Sequence, residues 1–102
     1  MIDFDWDPAK EKKNRKKHRV GFSEAATVFS DALGITIYDP DNSIDEDRYV
    51  TIGASAGGRL LMVSHTDRHE QIRIISAREL TRAEREAYES EIERRRGGRS
   101  SG

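Results

Sequence analysis

Hydrophobic and polar positions along the chain change period several times, and each change marks a predicted element. Ile2, Phe4 and Trp6 alternate with Asp3 and Asp5, which predicts a short strand. Asp7-Pro8 then reads as an N-cap followed by the first helical position, and a helix is expected from Pro8 to about His18. Only Ala9 is apolar in it beyond the proline. A helix polar on all sides is marginal alone, so it must be pinned by its flanks, Trp6 before it and Val20 and Phe22 after it, or serve as a charged platform for a partner. Ser23 is the expected N-cap of a second, short helix whose Ala25, Ala26, Val28 and Phe29 join Phe22 in a core surface, with Gly34 at the following turn.

The second half of the chain reads as a meander. Ile35 to Tyr38 and Tyr49 to Ala54 are expected strands, separated by an acidic loop that Asp39-Pro40 opens. Ser55 to Gly58 connects to a further strand from Leu60 to His65, and a polar turn at Thr66–Glu70 leads to its hairpin partner, Gln71 to Ser76. Thr81 with Glu84 three residues on forms a capping box for a last helix from about Arg82 to Arg94, whose apolar stripe is Leu80, Ala83, Ala87, Tyr88 and Ile92. Short connections demand antiparallel neighbours. The fold class is therefore α+β: one antiparallel sheet of four to five strands, with two N-terminal helices and one C-terminal helix gathered mainly on one face, which leaves the other face to a ligand. One domain is expected over residues 1–96, with a disordered tail over 97–102.

Composition narrows the chemistry. The 102 residues are 34% hydrophobic and 36% charged, so a modest core carries a heavily ionic surface. Without cysteine there is no disulfide framework, no thiolate zinc site and no thiol nucleophile, which fits a reducing, cytoplasmic setting. No apolar run approaches the ~20 residues of a membrane span. Net charge is −1 but strongly segregated: residues 10–19 hold seven Lys/Arg against one Glu, and residues 39–47 hold five Asp/Glu and no Lys/Arg. Local fields rather than net charge govern what approaches each face.

The glycine-rich stretch Gly53 to Gly58 lacks the Lys-Ser/Thr ending of a phosphate loop and precedes a strand, so it is a hairpin turn. Asp39 to Ser43 has the outline of a calcium loop, but Ile44 stands where that loop turns on glycine and Val50 where it needs a bidentate Glu. His65 and His69 bracket a turn and have no third ligand nearby in sequence, so no metal or other cofactor is expected. Lys10, Lys13 and Lys17 share one helix face, and three ammoniums there suit a polyanion or an acidic partner as well as a solvated surface.

Arg48, Arg59, Arg73 and Arg78 fall in or beside strands. Each alone reads as a cross-strand ion pair, whereas several on one open face beside a histidine suit phosphate chemistry, because guanidinium forks match phosphate oxygens. His65 is the first candidate proton carrier. His18, at the end of the basic helix, is the second, its plainer role being a cation at a helix C-terminus. Such a surface equally serves a non-catalytic module that holds an acidic partner protein or contributes to operator DNA binding within a complex.

Four stretches, FDWDPAKEKKNRKKH, VGFSEAATVF, DRYVTIG and RIISARELTRAEREAY, together resemble the BrnT family over Phe4 to Tyr88. That family comprises toxins of type II toxin–antitoxin modules with a RelE-like ribonuclease fold. After Lys17-His18 the family usually has glycine, and this chain has Arg19, which needs another cap geometry or strain. The resemblance implies a cytoplasmic endoribonuclease acting on mRNA, and a cognate BrnA-like antitoxin with a ribbon-helix-helix domain. Operator DNA would be bound only through the complex. Metal-independent cleavage by the ribose 2′-OH would then use Arg73 and Arg78 as charge stabilisers assisted by Arg48, His65 as proton carrier, and Lys10, Lys13 and Lys17 as RNA guides. Tyr88 would position a group by its hydroxyl or pack in the core.

Overall fold

The computed structural model describes residues 2–100, with side chains over 2–96. The elements in order are β1 (Asp3–Asp5), α1 (Pro8–His18), α2 (Phe22–Thr27), β2 (Ile35–Tyr38), β3 (Tyr49–Ala54), β4 (Leu60–Arg68), β5 (Gln71–Glu79) and α3 (Arg82–Ser100). The five strands form one sheet in the order β1-β5-β4-β3-β2. Every pairing is antiparallel except β1 with β5, which is parallel, so the sheet is mixed rather than purely antiparallel. The cause is the course of the N-terminal segment. It lies beside the first half of β5 as a strand, Asp3 to Asp5 opposite Gln71 to Arg73, and continues along the second half of β5 as α1.

That continuation explains how so polar a helix is held. The amide of Asn14, a buried residue in a helix of lysines and arginines, donates from Nδ2 to the carbonyls of Val20 at 2.9 Å and Ala77 at 2.8 Å, and its Oδ1 accepts from the Ala77 N–H at 3.1 Å. Where no strand flanks the upper edge of β5, one side chain satisfies both backbone groups of Ala77. Trp6, Val20 and Phe22 pin the flanks as expected, Trp6 packing edge-on against Phe22 at 6.0 Å between ring centroids. Arg19 closes α1 in the left-handed conformation at φ 58, its N–H donating to the Arg15 carbonyl at 2.9 Å. It adopts the cap that glycine takes without penalty, and accepts the strain.

The core is Val20, Phe22, Ala25 and Val28 packed on Leu61, Val63, Ile74 and Ala77, with Phe4, Trp6, Phe29 and Ile72 around it. α2 starts two residues earlier than expected: Gly21 is the N-cap, and Ser23 lies inside the helix. The β4–β5 hairpin is longer and its turn tighter than expected. Both strands are nine residues, so Thr66 belongs to a strand, and the turn is His69 and Glu70 alone, with His69 at φ 55. α3 begins with the expected capping box, Glu84 N donating to Thr81 Oγ1 at 3.2 Å and Thr81 N to Glu84 Oε1 at 2.9 Å. The helix extends beyond Arg94 to Ser100, so the tail expected over 97–102 overlaps it at 97–100, and residues 101 and 102 lie outside the described residues. α3 also departs from the single-face arrangement. Its Ala87 and Tyr88 lie with Ile35, Ile52 and Met62, on the sheet face opposite α2.

One irregularity decides which side chains share a face. Ser64 pairs with Ser76 but His65 pairs with Ile74, so Ile75 is an extra residue, a β-bulge. Strict alternation would send Arg73 and Arg78, five positions apart, to opposite faces. With the bulge, Arg73 pairs with Thr66 and Arg78 with Met62, both on the face away from the α2 core.

Replacing Asn14 by Ala takes the partner from the Val20 carbonyl and from the Ala77 N–H and carbonyl, and is expected to cost at least ~3 kcal/mol, since each orphaned buried group costs ~1–3 kcal/mol. Urea unfolding checks this, as a lower midpoint at unchanged slope. Arg19→Gly is expected to stabilise the fold by ~0.5–1 kcal/mol in the same assay, by removing left-handed strain.

Candidate nucleic-acid interface

The face of the sheet away from α2 is built in cross-strand rows. Across β5, β4 and β3, one row holds Arg78, Met62 and Ile52, the next Ser76, Ser64 and Val50, and a third begins with Arg73 and Thr66. α3 roofs the first row at its Met62–Ile52 end. Between that roof and the C-terminal end of α1 runs a groove of about 400 Å³, lined by Lys17, His18, Asp39, Val50, Met62, Ser64, Ser76, Ala77 and Arg78. Lys10, Lys13, Lys17 and His18 line a shallower hollow that meets the groove at Ser76. The three lysines therefore share one face, as their spacing predicts, and that face leads into the groove. A hollow of similar volume at the far end of the hairpin, around Ile2, Asp67, His69 and Glu70, gathers no basic cluster.

Arg78 is the half-buried cation of the groove. Its Nη1 and Nη2 donate to both oxygens of Glu84 at 2.7 and 2.9 Å, and Nη2 also reaches Met62 Sδ at 3.3 Å. Glu84 is thus both the capping-box acid of α3 and the partner that holds Arg78. The Arg78 hydrogen bonds first, and the Thr81 backbone next, pull its carboxyl down to about 2. Arg73 is ion-paired with Asp5 on β1. Arg48 lies just before β3, where it lines a hollow with Asn42, Ile44, Asp45 and Glu46. Arg59 belongs elsewhere: it binds both oxygens of Glu24 on α2, together with Glu79 and the Arg19 carbonyl, and serves the fold.

The expectation that His65 shares an open face with the arginines needs correction. His65 is 1% exposed and points to the α2 side of the sheet, like Leu61 and Val63 before it on β4. Its ring meets Phe29 edge-on at 4.8 Å and stacks on Tyr49 at 6.0 Å. Nδ1 lies 2.8 Å from Asp67 Oδ1 and Nε2 2.8 Å from Thr51 Oγ1, which in turn lies 2.7 Å from Thr36 Oγ1. The neutral tautomer with its proton on Nδ1 fits this chain, donating to Asp67 and accepting from Thr51. Burial holds the imidazole below its ordinary value, with Asp67 pulling the other way. Leu60, Leu61, Met62 and Val63 are all apolar, so no alternation in the sequence marks position 65 as facing inward. His18 is the histidine beside Arg78. Tyr88 donates its hydroxyl to the Leu33 carbonyl at 3.1 Å and packs α3 onto the sheet, which is the core role. Ser64 and Ser76 also line the groove, and no motif in the sequence marks them. Among the described residues no group of three or more His, Cys, Asp or Glu side chains is placed to hold a metal, and no helix is long and apolar enough to cross a membrane.

Comparison with known proteins agrees with this architecture. A family model described as the ribonuclease toxin, BrnT, of type II toxin–antitoxin systems matches residues 6–84. The chain belongs to the BrnT family. Among solved structures it is similar to the Brucella abortus ribonuclease toxin BrnT, at 21% identity and a TM-score of 0.59, over 80% of this chain and 100% of that one. At that identity the likeness speaks for the fold. No curated protein matches the chain. The family match spans α1, the whole sheet except β1, and the start of α3 through Glu84, so it includes every groove residue.

Burial of His65 sets a pH dependence. Its value in the folded protein lies below that in the unfolded chain, so beneath pH ~6.5 the unfolded state binds the extra proton. Stability is expected to be full above that pH and to fall as the solution is acidified through it. His65→Gln should flatten this part of the profile, measured by urea midpoints between pH 5 and pH 8.

Proposed function

We propose that this BrnT-family chain is the toxin of a type II toxin–antitoxin module and cuts mRNA in the groove between α1 and α3, with no metal taking part. The observation that carries the reading is the meeting, in one open groove, of a guanidinium (Arg78), an imidazole (His18), an ammonium (Lys17) and two hydroxyls (Ser64 and Ser76). The residues suit in-line attack of a ribose 2′-OH on the adjacent phosphorus. As the O2′–P bond forms, His18 takes the hydroxyl proton. As the P–O5′ bond breaks, it returns that proton to the leaving oxygen, giving a 2′,3′-cyclic phosphate and a 5′-OH. Arg78 faces the charge that builds on the phosphorane, where fixed donors act most strongly. Lys10, Lys13 and Lys17 guide the backbone in. His65 keeps the sheet together behind the site. A BrnA-like antitoxin with a ribbon-helix-helix domain is the expected partner, and operator DNA would be met only through the complex.

Arg78→Ala in folded protein is expected to lower cleavage of a defined RNA by ~10²–10³. His18→Ala should lower it by ~10²–10⁴. Wild-type cleavage should survive EDTA, and the new ends should carry cyclic phosphate. A folded Arg78→Ala protein that cuts at the wild-type rate would sink the assignment, and RNA bound but never cut would leave a binding module.

A further inference from the structure

Arg73 and Arg78 share a face, yet they cannot serve one phosphorus in the same way. Their cross-strand partners, Thr66 and Met62, are four residues apart on β4, which at ~3.3 Å per residue separates the two rows by ~13 Å. Around Arg73 a second basic cluster gathers. Arg68 binds Glu46 through two hydrogen bonds, at 3.0 and 2.7 Å, and is the first cause of a Glu46 carboxyl held below its ordinary range, to which the charges of Arg48 and Arg73 add. Three guanidiniums, Arg48, Arg68 and Arg73, thus gather with the carboxylates of Glu46 and Asp5, and Asp45 lines the same hollow as Arg48. Extending the β3–β4 register one residue beyond Tyr49–His65 puts Arg48 beside Thr66, so Thr66 lies between Arg48 and Arg73. Thr66 is 1% exposed, and its Oγ1 is the buried side-chain polar atom without a hydrogen-bond partner among the described residues. A buried hydroxyl left unsatisfied is costly and points to a missing partner.

We infer that Arg48, Arg73 and Thr66 form a second phosphate subsite, which holds the backbone of a single-stranded RNA several nucleotides away from the phosphate at Arg78. The inference rests on the reading of this face as the RNA site and specifies how substrate lies on it: along β4 and β5, over Ser64 and Ser76. A phosphate at this subsite displaces Asp5 from Arg73, takes the guanidinium fork in its place, and accepts from Arg48 and the Thr66 hydroxyl. Successive phosphates of a stacked strand rise ~3.4 Å along its axis and stand further apart than that through space, so ~13 Å corresponds to at most about four nucleotides. A dinucleotide reaches only one subsite. An oligonucleotide of eight reaches both.

The test uses all-deoxy oligonucleotides of two to eight residues, which cannot be cut, titrated by fluorescence anisotropy over a range of salt. Each phosphate neutralised on a single strand contributes ~0.7 to the slope of log K against log salt. With the octamer, Arg73→Ala and Arg48→Ala are each expected to lower that slope by ~0.7 and to weaken binding. With the dinucleotide they should leave binding unchanged. Asp5→Asn, which frees Arg73, is expected to tighten the octamer and not the dinucleotide, a gain that loss of folding cannot mimic. Thr66→Val should weaken the octamer alone. Octamer binding by Arg73→Ala and Arg48→Ala at wild-type slope overturns the subsite. So does Asp5→Asn without a gain. In either case, wild-type cleavage of ribo-oligonucleotides leaves the proposed activity standing. Failure of wild-type protein to bind the octamer overturns the subsite, and failure also to cut RNA overturns the activity with it.

Discussion

A single side-chain amide makes this architecture possible. Asn14 gives both its amide hydrogens and one carbonyl lone pair to backbone groups, and two of those three bonds go to Ala77. A helix as polar as α1 has no apolar stripe to bury, so the usual reason for a helix to lie against a sheet is missing. What holds it is a buried hydrogen-bonded contact at its middle and aromatic packing at its ends. The same contact closes the upper edge of β5, which would otherwise be open to pairing with another chain. Because the amide takes the place of a strand, the lysines of α1 stand beside the sheet, next to the groove, and not on top of it.

The two faces of the sheet have divided the labour. One is dry, and the histidine buried in it, His65, is held neutral by burial and tied to Asp67 and Thr51. The other is ionic. On it three arginines have carboxylate partners: Arg78 with Glu84, Arg73 with Asp5, Arg68 with Glu46. Such pairs are partly exposed, so they add little to stability. What they fix is orientation: Glu46 and Glu84 each hold a guanidinium through two hydrogen bonds, and Asp5 holds Arg73 through one. Glu84 couples this to the fold, since the residue that caps α3 also aims Arg78.

The bulge at Ile75 joins the two halves of this arrangement. It lets Ile74 and Ala77, three positions apart, both enter the core, and in doing so it turns Ser76 and Arg78 onto the face that Arg73 already occupies. Asn14 fastens β5 two residues beyond the extra residue, so the shifted register is held by α1 as well as by β4.

Local chemistry made much of this readable in advance. Asp7-Pro8 starts α1, Thr81 with Glu84 starts α3, alternation of Ile2, Phe4 and Trp6 marks β1, and the apolar runs from Leu60 and from Ile72 mark β4 and β5, because caps and short apolar patterns act over a few residues and need no tertiary partner. The family signature, too, lies in contiguous stretches. The tertiary structure decided what depends on register and on distant partners. No local signal marks Ile75 as an extra residue, so the shared face of Arg73 and Arg78 could not be had from spacing. β1 is parallel because of where α1 must go. Asn14 looks like any other polar residue of a charged helix until Ala77, sixty-three positions away, is brought beside it. His65 was drawn to the site by its chemistry and removed from it by the pleat, because side-chain direction in a strand follows parity and not residue type.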